Sequence, residues 1–195
     1  MSAAAAIVLA AGEGRRMGGP KALLVVGGKP LLRQHVERLL EAGCEPIVVV
    51  VPARILEEVR QLLGDARGVR LVAAETSSMA ESLTIGLQHL LATPDQPIVI
   101  ATVDSLPVRR STLDALIASA LESGVQVATP VYQARGGHPV VARESLLRVF
   151  RDGYPGTLRE LVRSAAVRRR LYVDDPAVGH DFDTPADLAA LDTGE

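Results

Sequence analysis

The residues with the clearest chemical potential lie in a glycine-rich segment that follows an apolar run near the start of the chain. The apolar run covers 5–9, and the glycine-rich segment extends from there to position 21. Among its glycines and cations, those with the clearest roles are Gly12, Gly14, Arg16 and Lys21. Glycines allow backbone N–H groups to approach a ligand closely, and arginine and lysine add positive charge that binds phosphate. The segment therefore predicts a phosphate-binding loop.

The spacing within this loop argues against two common nucleotide-binding patterns. Met17 stands where a dinucleotide-binding fingerprint, counted from Gly12 and Gly14, requires a third glycine. Lys21 is followed by Ala22 and not by the serine or threonine that a P-loop uses to hold magnesium. The loop thus indicates neither a Rossmann dehydrogenase nor a P-loop NTPase.

Carboxylates at two other places could hold a metal ion. Asp104 directly follows the apolar run 98–103, and the pair Asp181 and Asp183 precedes a helix-start signal at 184–185. Ligands of open α/β sheets bind beyond the carboxyl ends of strands, and Mg²⁺ takes one or two carboxylates together with phosphate oxygens and water. We therefore expect Asp104 to hold Mg²⁺ opposite the loop, with Asp181 as the second ligand. The alternatives are that Asp104 caps a turn or the following helix, that Asp183 and not Asp181 completes the metal site, and that Asp183, or the whole pair, caps the last helix.

The periodicity of the chain predicts the elements that position these residues. Short runs of Val, Ile and Leu predict buried strands at 5–9, 47–51, 69–73 and 98–103. Amphipathic patterns predict helices over 32–40, 55–63, 79–91 and 113–121. This alternation predicts an α/β fold around a mostly parallel central sheet.

The second half of the chain has a different order and spacing of predicted strands and helices. Candidate strands there cover 125–128, 139–142 and 171–173, with helices between the last two, and Thr184 signals a short C-terminal helix. We predict one domain over 1–195. The half that contains the phosphate-binding loop covers roughly 1–124, and the half that completes the sheet and supplies the other side of the ligand cleft covers roughly 125–195.

Composition and charge narrow the classes of function. Only 3% of the 195 residues are aromatic and the net charge is −2, which argues against binding to nucleic acid. The basic run 168–170 is expected to be a solvated strand edge. Cys44 is the single cysteine, and His35, His89 and His180 belong to no motif. No apolar stretch approaches the length of a membrane span and a signal peptide is not indicated, so the expected location is cytoplasmic.

The loop carries a resemblance to a known family. The pattern Leu-Ala-Ala-Gly-x-x-x-Arg-Met-Gly-x-x-Lys at 9–21 resembles the signature loop of the molybdenum cofactor cytidylyl- and guanylyltransferases, which are MobA-like NTP transferases. The resemblance implies a three-layer, Rossmann-like nucleotidyltransferase fold. It also implies catalytic roles for Arg16, Lys21 and Asp104. The nucleotide-binding residues that it implies are Leu9, Ala10, Ala11, Gly12, Gly14, Arg16, Lys21 and Ser82.

Two further segments are similar to the cytidylyltransferase branch of that family. Residues 82–87 are similar to its Ser-Leu-x-x-Gly-Leu helix start, so Ser82 either approaches the base or ribose or caps the helix. Residues 135–141 are similar to its Arg-Gly-His-Pro-Val segment, so Gly137 and His138 either contact the acceptor or are structural. The acidic segment 181–185 is similar to the Asp-x-Asp-Thr-Pro segment of the family.

The function implied by the resemblance is a Mg²⁺-dependent transfer of CMP from CTP to molybdopterin, with release of pyrophosphate. The Leu-Ala-Ala-Gly form of the loop favours a pyrimidine nucleotide. A molybdoenzyme apoprotein is a possible partner, and nucleic acid and membranes are not expected. One alternative is transfer to another phosphorylated acceptor, such as a sugar phosphate, a phospholactate or a methylerythritol phosphate. A second alternative is a non-catalytic carrier of the molybdenum cofactor, which has no need of magnesium ligands.

Overall fold

Strands and helices alternate along the chain, as the sequence predicts. The computed structural model describes residues 4–12, 14, 18–93, 95–179, 181, 184 and 187. The strands are β1 (Ala4–Leu9), β2 (Val25–Val26), β3 (Lys29–Pro30), β4 (Cys44–Val51), β5 (Val69–Ala73), β6 (Pro97–Thr102), β7 (Val127–Tyr132), β8 (Arg135–Gly136), β9 (Val140–Arg143) and β10 (Arg168–Tyr172). The α-helices are α1 (Leu31–Glu41), α2 (Leu56–Leu63), α3 (Met79–His89), α4 (Arg110–Leu121), α5 (Glu144–Leu147) and α6 (Leu158–Ser164).

The central sheet is mostly parallel. Its strand order is β10-β7-β9-β6-β1-β4-β5, with β8 paired to β7 as the eighth strand. Strand β1 lies between β4 and β6 in parallel register, so Leu9 is level with Val50 on one side and with Thr102 on the other. Strand β9 is antiparallel to both β6 and β7, whereas β10 is parallel to β7. The carboxyl ends of β1, β4 and β6 therefore lie at one edge of the sheet.

Helices cover both faces of the sheet, which gives the three layers expected from the family resemblance. The side chains of β1 alternate between the two faces, since Val8 packs in one apolar cluster and Ile7 in the other. The cluster around Val8 contains side chains of α1, α2 and α4, and the cluster around Ile7 contains side chains of α3 and α6. All six residues of β1 are buried, as expected for a central strand covered on both faces.

Glycine at one helical position lets α3 approach the sheet closely. A Cβ atom at Gly86 would lie 2.7 Å from Cγ2 of Ile7 in β1. Leu83 and Leu87 flank this position and are fully buried. The Ser-Leu-x-x-Gly-Leu segment therefore fixes the distance between α3 and β1, and with it the position of the first turn of α3.

The second half of the chain differs in detail from the sequence-based expectation. Strand β7 runs over Val127–Tyr132 and not over 125–128, because Pro130 does not end it. Val127 and Ala128 of β7 pair with β9, and Val131 and Tyr132 pair with β8. Pro130 lies between these two pairs, where no hydrogen bond to β8 or β9 requires a backbone N–H. The expected strand at 171–173 is β10, which begins at Arg168, and its three arginines are exposed at the edge of the sheet.

Two other sequence expectations concern a membrane and the C-terminus. Among the residues that the structure describes, none of the helices has the length and apolar character needed to cross a bilayer. The expected C-terminal helix lies largely outside the described residues. At its start, the amide of Thr184 donates to Oδ2 of Asp187 at 2.7 Å, and the amide of Asp187 donates to the carbonyl oxygen of Thr184 at 3.0 Å.

Candidate functional site

A cleft of about 530 Å³ opens at the carboxyl ends of β1 and β6. Three parts of the chain form its walls, namely the end of β1 with the following loop, the start of α3, and the end of β6. Its lining residues are Leu9, Ala11, Gly12, Lys21, Thr76, Ser77, Ser78, Met79, Ser82, Thr102, Val103 and Asp104. The cleft therefore brings together the two features that the sequence analysis placed opposite each other, Asp104 and the loop that ends at Lys21.

The loop residues do not all face the cleft. Leu9, Ala11, Gly12 and Lys21 line it, whereas the side chain of Ala10 is buried in the cluster on the opposite face of the sheet. The amide of Ala10 donates to the carbonyl oxygen of Val50 at 2.9 Å, so this amide already has a partner. The expected contact of Ala10 with a nucleotide gains no support from this position.

Gly14 closes the base of the loop. Its φ is +59°, and a Cβ atom there would lie 1.9 Å from the carbonyl oxygen of Gly19, so only glycine fits. The amide of Gly19 donates to the carbonyl oxygen of Gly14 at 3.4 Å. Gly14 is not among the cleft-lining residues, and its position indicates a role in loop shape. Arg16 lies outside the described residues.

The start of α3 presents hydroxyl groups to the cleft. The hydroxyl of Ser78 accepts a hydrogen bond from the amide of Glu81 at 3.1 Å, so Ser78 is the helix cap and Ser82 is not. Ser82 is only 4% exposed. Its hydroxyl donates to the carbonyl oxygen of Ser78 at 3.1 Å and lies 2.6 Å from Oγ1 of Thr76. Ser82 is therefore held in one orientation at the wall of the cleft.

Asp104 has an oxygen atom without a protein partner. Oδ1 of Asp104 is buried and accepts no hydrogen bond from any residue in the described part of the chain. Oγ1 of Thr102, at the end of β6, is also buried and unpaired among those residues. Burying a carboxylate oxygen without a partner is costly, so the arrangement fits a cation that contacts Asp104 when the cleft is loaded.

Asp181 lies close to this position although it is far away in sequence. Ser105 and Asp181 form an isolated antiparallel bridge, which places Asp181 beside the residue that follows Asp104. Asp183 lies outside the described residues. No group of three or more His, Cys, Asp or Glu side chains with metal-binding geometry occurs within the described ranges. Mg²⁺ and Mn²⁺ commonly bind one or two carboxylates together with substrate oxygens and water. The carboxylates of Asp104 and Asp181 fit this kind of metal site.

Gly137 and His138, expected to contact the acceptor, are not among the residues that line the cleft. Burial lowers the pKa of the His138 imidazole, while Asp104 and Asp181 act in the opposite direction and raise it. His138 is therefore close to both carboxylates. A Cβ atom at Gly137 would lie 2.6 Å from the amide nitrogen of Gly179, so this glycine permits close backbone packing against the segment that leads to Asp181.

A buried aspartate ties this segment to α4. Oδ2 of Asp175 accepts hydrogen bonds from the amide of Arg109 and from the hydroxyl of Thr112, both at 2.7 Å. Its Oδ1 accepts from the amide of Ala177 at 3.2 Å. Asp175 is 2% exposed, and these three donors satisfy its carboxylate. The segment from Asp175 towards Asp181 is thus anchored at the amino end of α4.

His35 is a residue near the site that the sequence analysis did not single out. It lies on α1, is 5% exposed, and its Nε2 is 2.9 Å from the carbonyl oxygen of Ser105. Burial lowers its pKa to about 4, so the ring is neutral at physiological pH. One signal was available in the sequence, because His35 lies on the same helical face as Leu31, Leu32 and Leu39, where a polar group needs a buried partner.

The comparisons with known proteins agree with this geometry. The fold and the cleft define an α/β protein of the nucleotidyltransferase class. The MobA-like NTP transferase domain matches residues 6–170, and the chain belongs to that family. Rv0371c from Mycobacterium tuberculosis H37Rv has a solved structure that is 26% identical, with a TM-score of 0.80, covering 96% of each chain. A second structure of Rv0371c, 23% identical with a TM-score of 0.80 and full coverage of both chains, is a complex with manganese.

Two curated relatives are longer than this chain. It is 36% identical over 155 residues to the bifunctional enzyme IspD/IspF of Novosphingobium aromaticivorans. These residues make up 74% of this chain and 40% of the relative. It is also 36% identical over 130 residues to the 2-C-methyl-D-erythritol 4-phosphate cytidylyltransferase of Frankia casuarinae. These residues make up 65% of this chain and 47% of the relative. The chain thus spans less than half the length of these two relatives.

Proposed function

We propose that this chain is a divalent-metal-dependent nucleotidyltransferase that transfers CMP from CTP to a phosphorylated acceptor and releases pyrophosphate. The observation that carries the proposal is the position of Asp104, whose unpaired buried oxygen lies in the same cleft as Gly12 and Lys21. Membership of the MobA-like family and the names of the curated relatives support it.

The reaction needs no covalent intermediate on the protein. An oxygen of the acceptor phosphate attacks the α-phosphorus of CTP, a new P–O bond forms, and the bond from that phosphorus to the bridging oxygen of the β-phosphate breaks. Negative charge grows on the departing pyrophosphate. Lys21 lines the cleft and supplies a cation for this charge, and Arg16 is proposed to grip the same oxygens bidentately.

Asp104 and Asp181 are the residues proposed to hold the metal ion, which is Mg²⁺ in this proposal. A bound divalent ion would supply charge neutralisation and orientation of the triphosphate oxygens. The chain's own contribution is the bridge between Ser105 and Asp181, which brings Asp181 beside the residue that follows Asp104. The manganese complex of Rv0371c supports a divalent ion in this fold.

The hydrogen bonding of Ser82 supports a base with an exposed amino group. Ser82 uses its single hydrogen on the carbonyl oxygen of Ser78, which leaves Thr76 as the donor in the Thr76–Ser82 pair. Ser82, which lines the cleft, then retains one acceptor site on its hydroxyl oxygen. Cytosine offers an amino group to such an acceptor, and uracil offers none. Adenine and guanine also carry an amino group, so ATP and GTP are the competing nucleotides to test.

Two acceptors deserve comparison. The resemblance of the loop and of the segment around Gly137 and His138 to the cytidylyltransferase branch favours molybdopterin. The name of the Frankia casuarinae relative favours 2-C-methyl-D-erythritol 4-phosphate as the second candidate. Under the first proposal a molybdoenzyme apoprotein is the recipient of the finished cofactor, and under both the acceptor phosphate lies on the His138 side of Asp104.

The test is pyrophosphate release from CTP, GTP, ATP and UTP with each acceptor in the presence of Mg²⁺. The proposal expects release with CTP and one of the two acceptors, and loss of release in Asp104→Asn. Faster reaction with GTP or ATP would show that the base assignment is wrong. Binding of molybdopterin without any pyrophosphate release from the four nucleotides would favour the non-catalytic carrier.

A further inference from the structure

We propose that His35 is a positioning residue that fixes the Asp104–Ser105 turn and, through the Ser105–Asp181 bridge, the spacing of the two metal-binding carboxylates. This inference rests on the proposed function of that site. His35 contributes nothing to the cleft lining itself, and it acts through the backbone of Ser105.

The first step of the argument is the hydrogen bond between α1 and the turn after β6. Nε2 of His35 and the carbonyl oxygen of Ser105 are 2.9 Å apart and join residues 70 positions apart in sequence. Because a carbonyl oxygen only accepts, Nε2 carries the proton and donates it. The neutral state of the ring, caused by burial, leaves this nitrogen as its single N–H donor.

The second step is the place of Ser105 between the two carboxylates. Ser105 follows Asp104 directly, and its backbone pairs with that of Asp181. Ser105 is 3% exposed, so water does not replace a lost partner of its carbonyl group easily. A change in the orientation of the Ser105 peptide moves both carboxylates, one through the chain and the other through the bridge.

The third step is that close packing by itself does not fix the turn at Ser105. A cavity of about 20 Å³ lies beside it, lined among others by His35, Ser105, Leu106 and His138. A turn next to an unfilled space can shift without a clash. The directional hydrogen bond from His35 therefore restrains the Ser105 carbonyl group, in addition to the bridge to Asp181 and the hydrogen bond from the Ser105 hydroxyl to the carbonyl oxygen of Thr102.

The experiment compares Mn²⁺ binding in the unsubstituted protein and in three variants. His35→Leu removes the donor, His35→Gln restores an N–H donor at a similar reach, and Val36→Ala is the control. Val36 is 2% exposed on the same helix and packs in the core. Mn²⁺ affinity is measured by electron paramagnetic resonance in the presence of α,β-methylene-CTP, which does not release pyrophosphate. Hydrogen exchange of the peptide that contains 103–106 is measured on the same samples.

We expect His35→Leu to weaken Mn²⁺ binding about tenfold, the lower end of what outer partners of metal ligands contribute. Exchange at the turn should become faster in that variant. His35→Gln should recover most of the affinity. Val36→Ala should lower the melting temperature and leave the Mn²⁺ affinity unchanged. If His35→Leu fails to fold, His35→Phe, which retains a planar ring without the donor, supplies the same comparison.

Unchanged Mn²⁺ affinity in folded His35→Leu or His35→Phe would overturn the inference, as would equal losses in His35→Gln and His35→Leu. Asp104→Asn separates this failure from failure of the proposed function. If Asp104→Asn weakens Mn²⁺ binding and the His35 variants do not, only the positioning role is wrong. If Asp104→Asn has no effect on Mn²⁺ binding, the metal site itself is wrong.

Discussion

Ser105 and Asp181 face each other across an isolated antiparallel bridge, which joins the turn after β6 to a segment near the end of the chain. The bridge connects two acidic positions that are 77 residues apart in the sequence, Asp104 and Asp181. The proposed metal site depends on the segments on both sides of the bridge, so each carboxylate should have its own measurable effect on metal binding.

Asp181→Asn should raise the Mg²⁺ concentration needed for half-maximal pyrophosphate release on the order of tenfold, because it removes one charged oxygen ligand. Titration of Mg²⁺ at saturating CTP measures this change. Asp65→Asn is the matched control, because Asp65 is exposed and precedes the amino end of β5 on the opposite side of the sheet. An Asp181 variant with the Mg²⁺ dependence of the Asp65 control would remove Asp181 from the metal site.

Thr112→Val should lower the free energy of unfolding by about 2 kcal/mol, since it deletes a buried hydrogen bond to a carboxylate. Thr112→Ser keeps the hydroxyl and is the control, and urea unfolding monitored by circular dichroism measures both. The segment that Asp175 anchors leads to Asp181, so the Val variant should also bind Mn²⁺ more weakly. Equal stability of the two variants would show that the Thr112–Asp175 bond contributes little.

Gly86→Ala should destabilise the protein by about 1–3 kcal/mol, because its Cβ would meet Ile7 at 2.7 Å in a packed core. Gly19→Ala is the control, since a Cβ atom there has no neighbour within 4 Å. Thermal unfolding of the two variants gives the comparison. A Gly86→Ala protein as stable as the Gly19→Ala protein would mean that α3 moves away from β1 at little cost.

The stability of the protein should fall as the pH decreases from 6.5 towards 4 because of His35. Its pKa is lowered from 6.5 to about 4 in the folded state, so the unfolded chain binds more protons in this range. The loss from this group reaches about 3 kcal/mol near pH 4. Urea unfolding at pH 7, 5.5 and 4.5 should show a smaller decrease for His35→Gln than for the unsubstituted protein. Parallel decreases in the two proteins would contradict this assignment.

The sequence predicted the first half of the sheet well, and physical reasons explain where it failed. Strands β1, β4, β5 and β6 are short apolar runs covered by helices, and this pattern is readable without coordinates. Strands β2, β3 and β8 have two residues each, too few for any periodicity. Strand β10 begins with three arginines, and an edge strand with exposed charges does not show the apolar pattern of a buried one.

In the candidate site, too, residues next to predicted elements could be predicted, whereas contacts between residues far apart in the sequence could not. Asp104 was expected opposite the loop with Gly12 and Lys21 because both follow predicted strands, and the family resemblance added Ser82. All four residues line one cleft in the structure. Their contacts with a nucleotide remain predictions. The resemblance implied a nucleotide contact for Ala10, whereas its side chain is buried on the face opposite to those of Leu9 and Ala11 and its amide is bonded to Val50. His35 was missed because its partner, Ser105, is distant in sequence.

Strand β9 runs against its neighbours, with Val140 opposite Ile100 and Arg143 opposite Pro97. In a sheet with one strand direction, only loops that follow strands reach the ligand edge. Because β9 is reversed, the residues that precede it, including His138, emerge at the same edge as the residue that follows β6. The inverted strand thus delivers an incoming chain segment, with His138, to the edge of the sheet at which Asp104 lies.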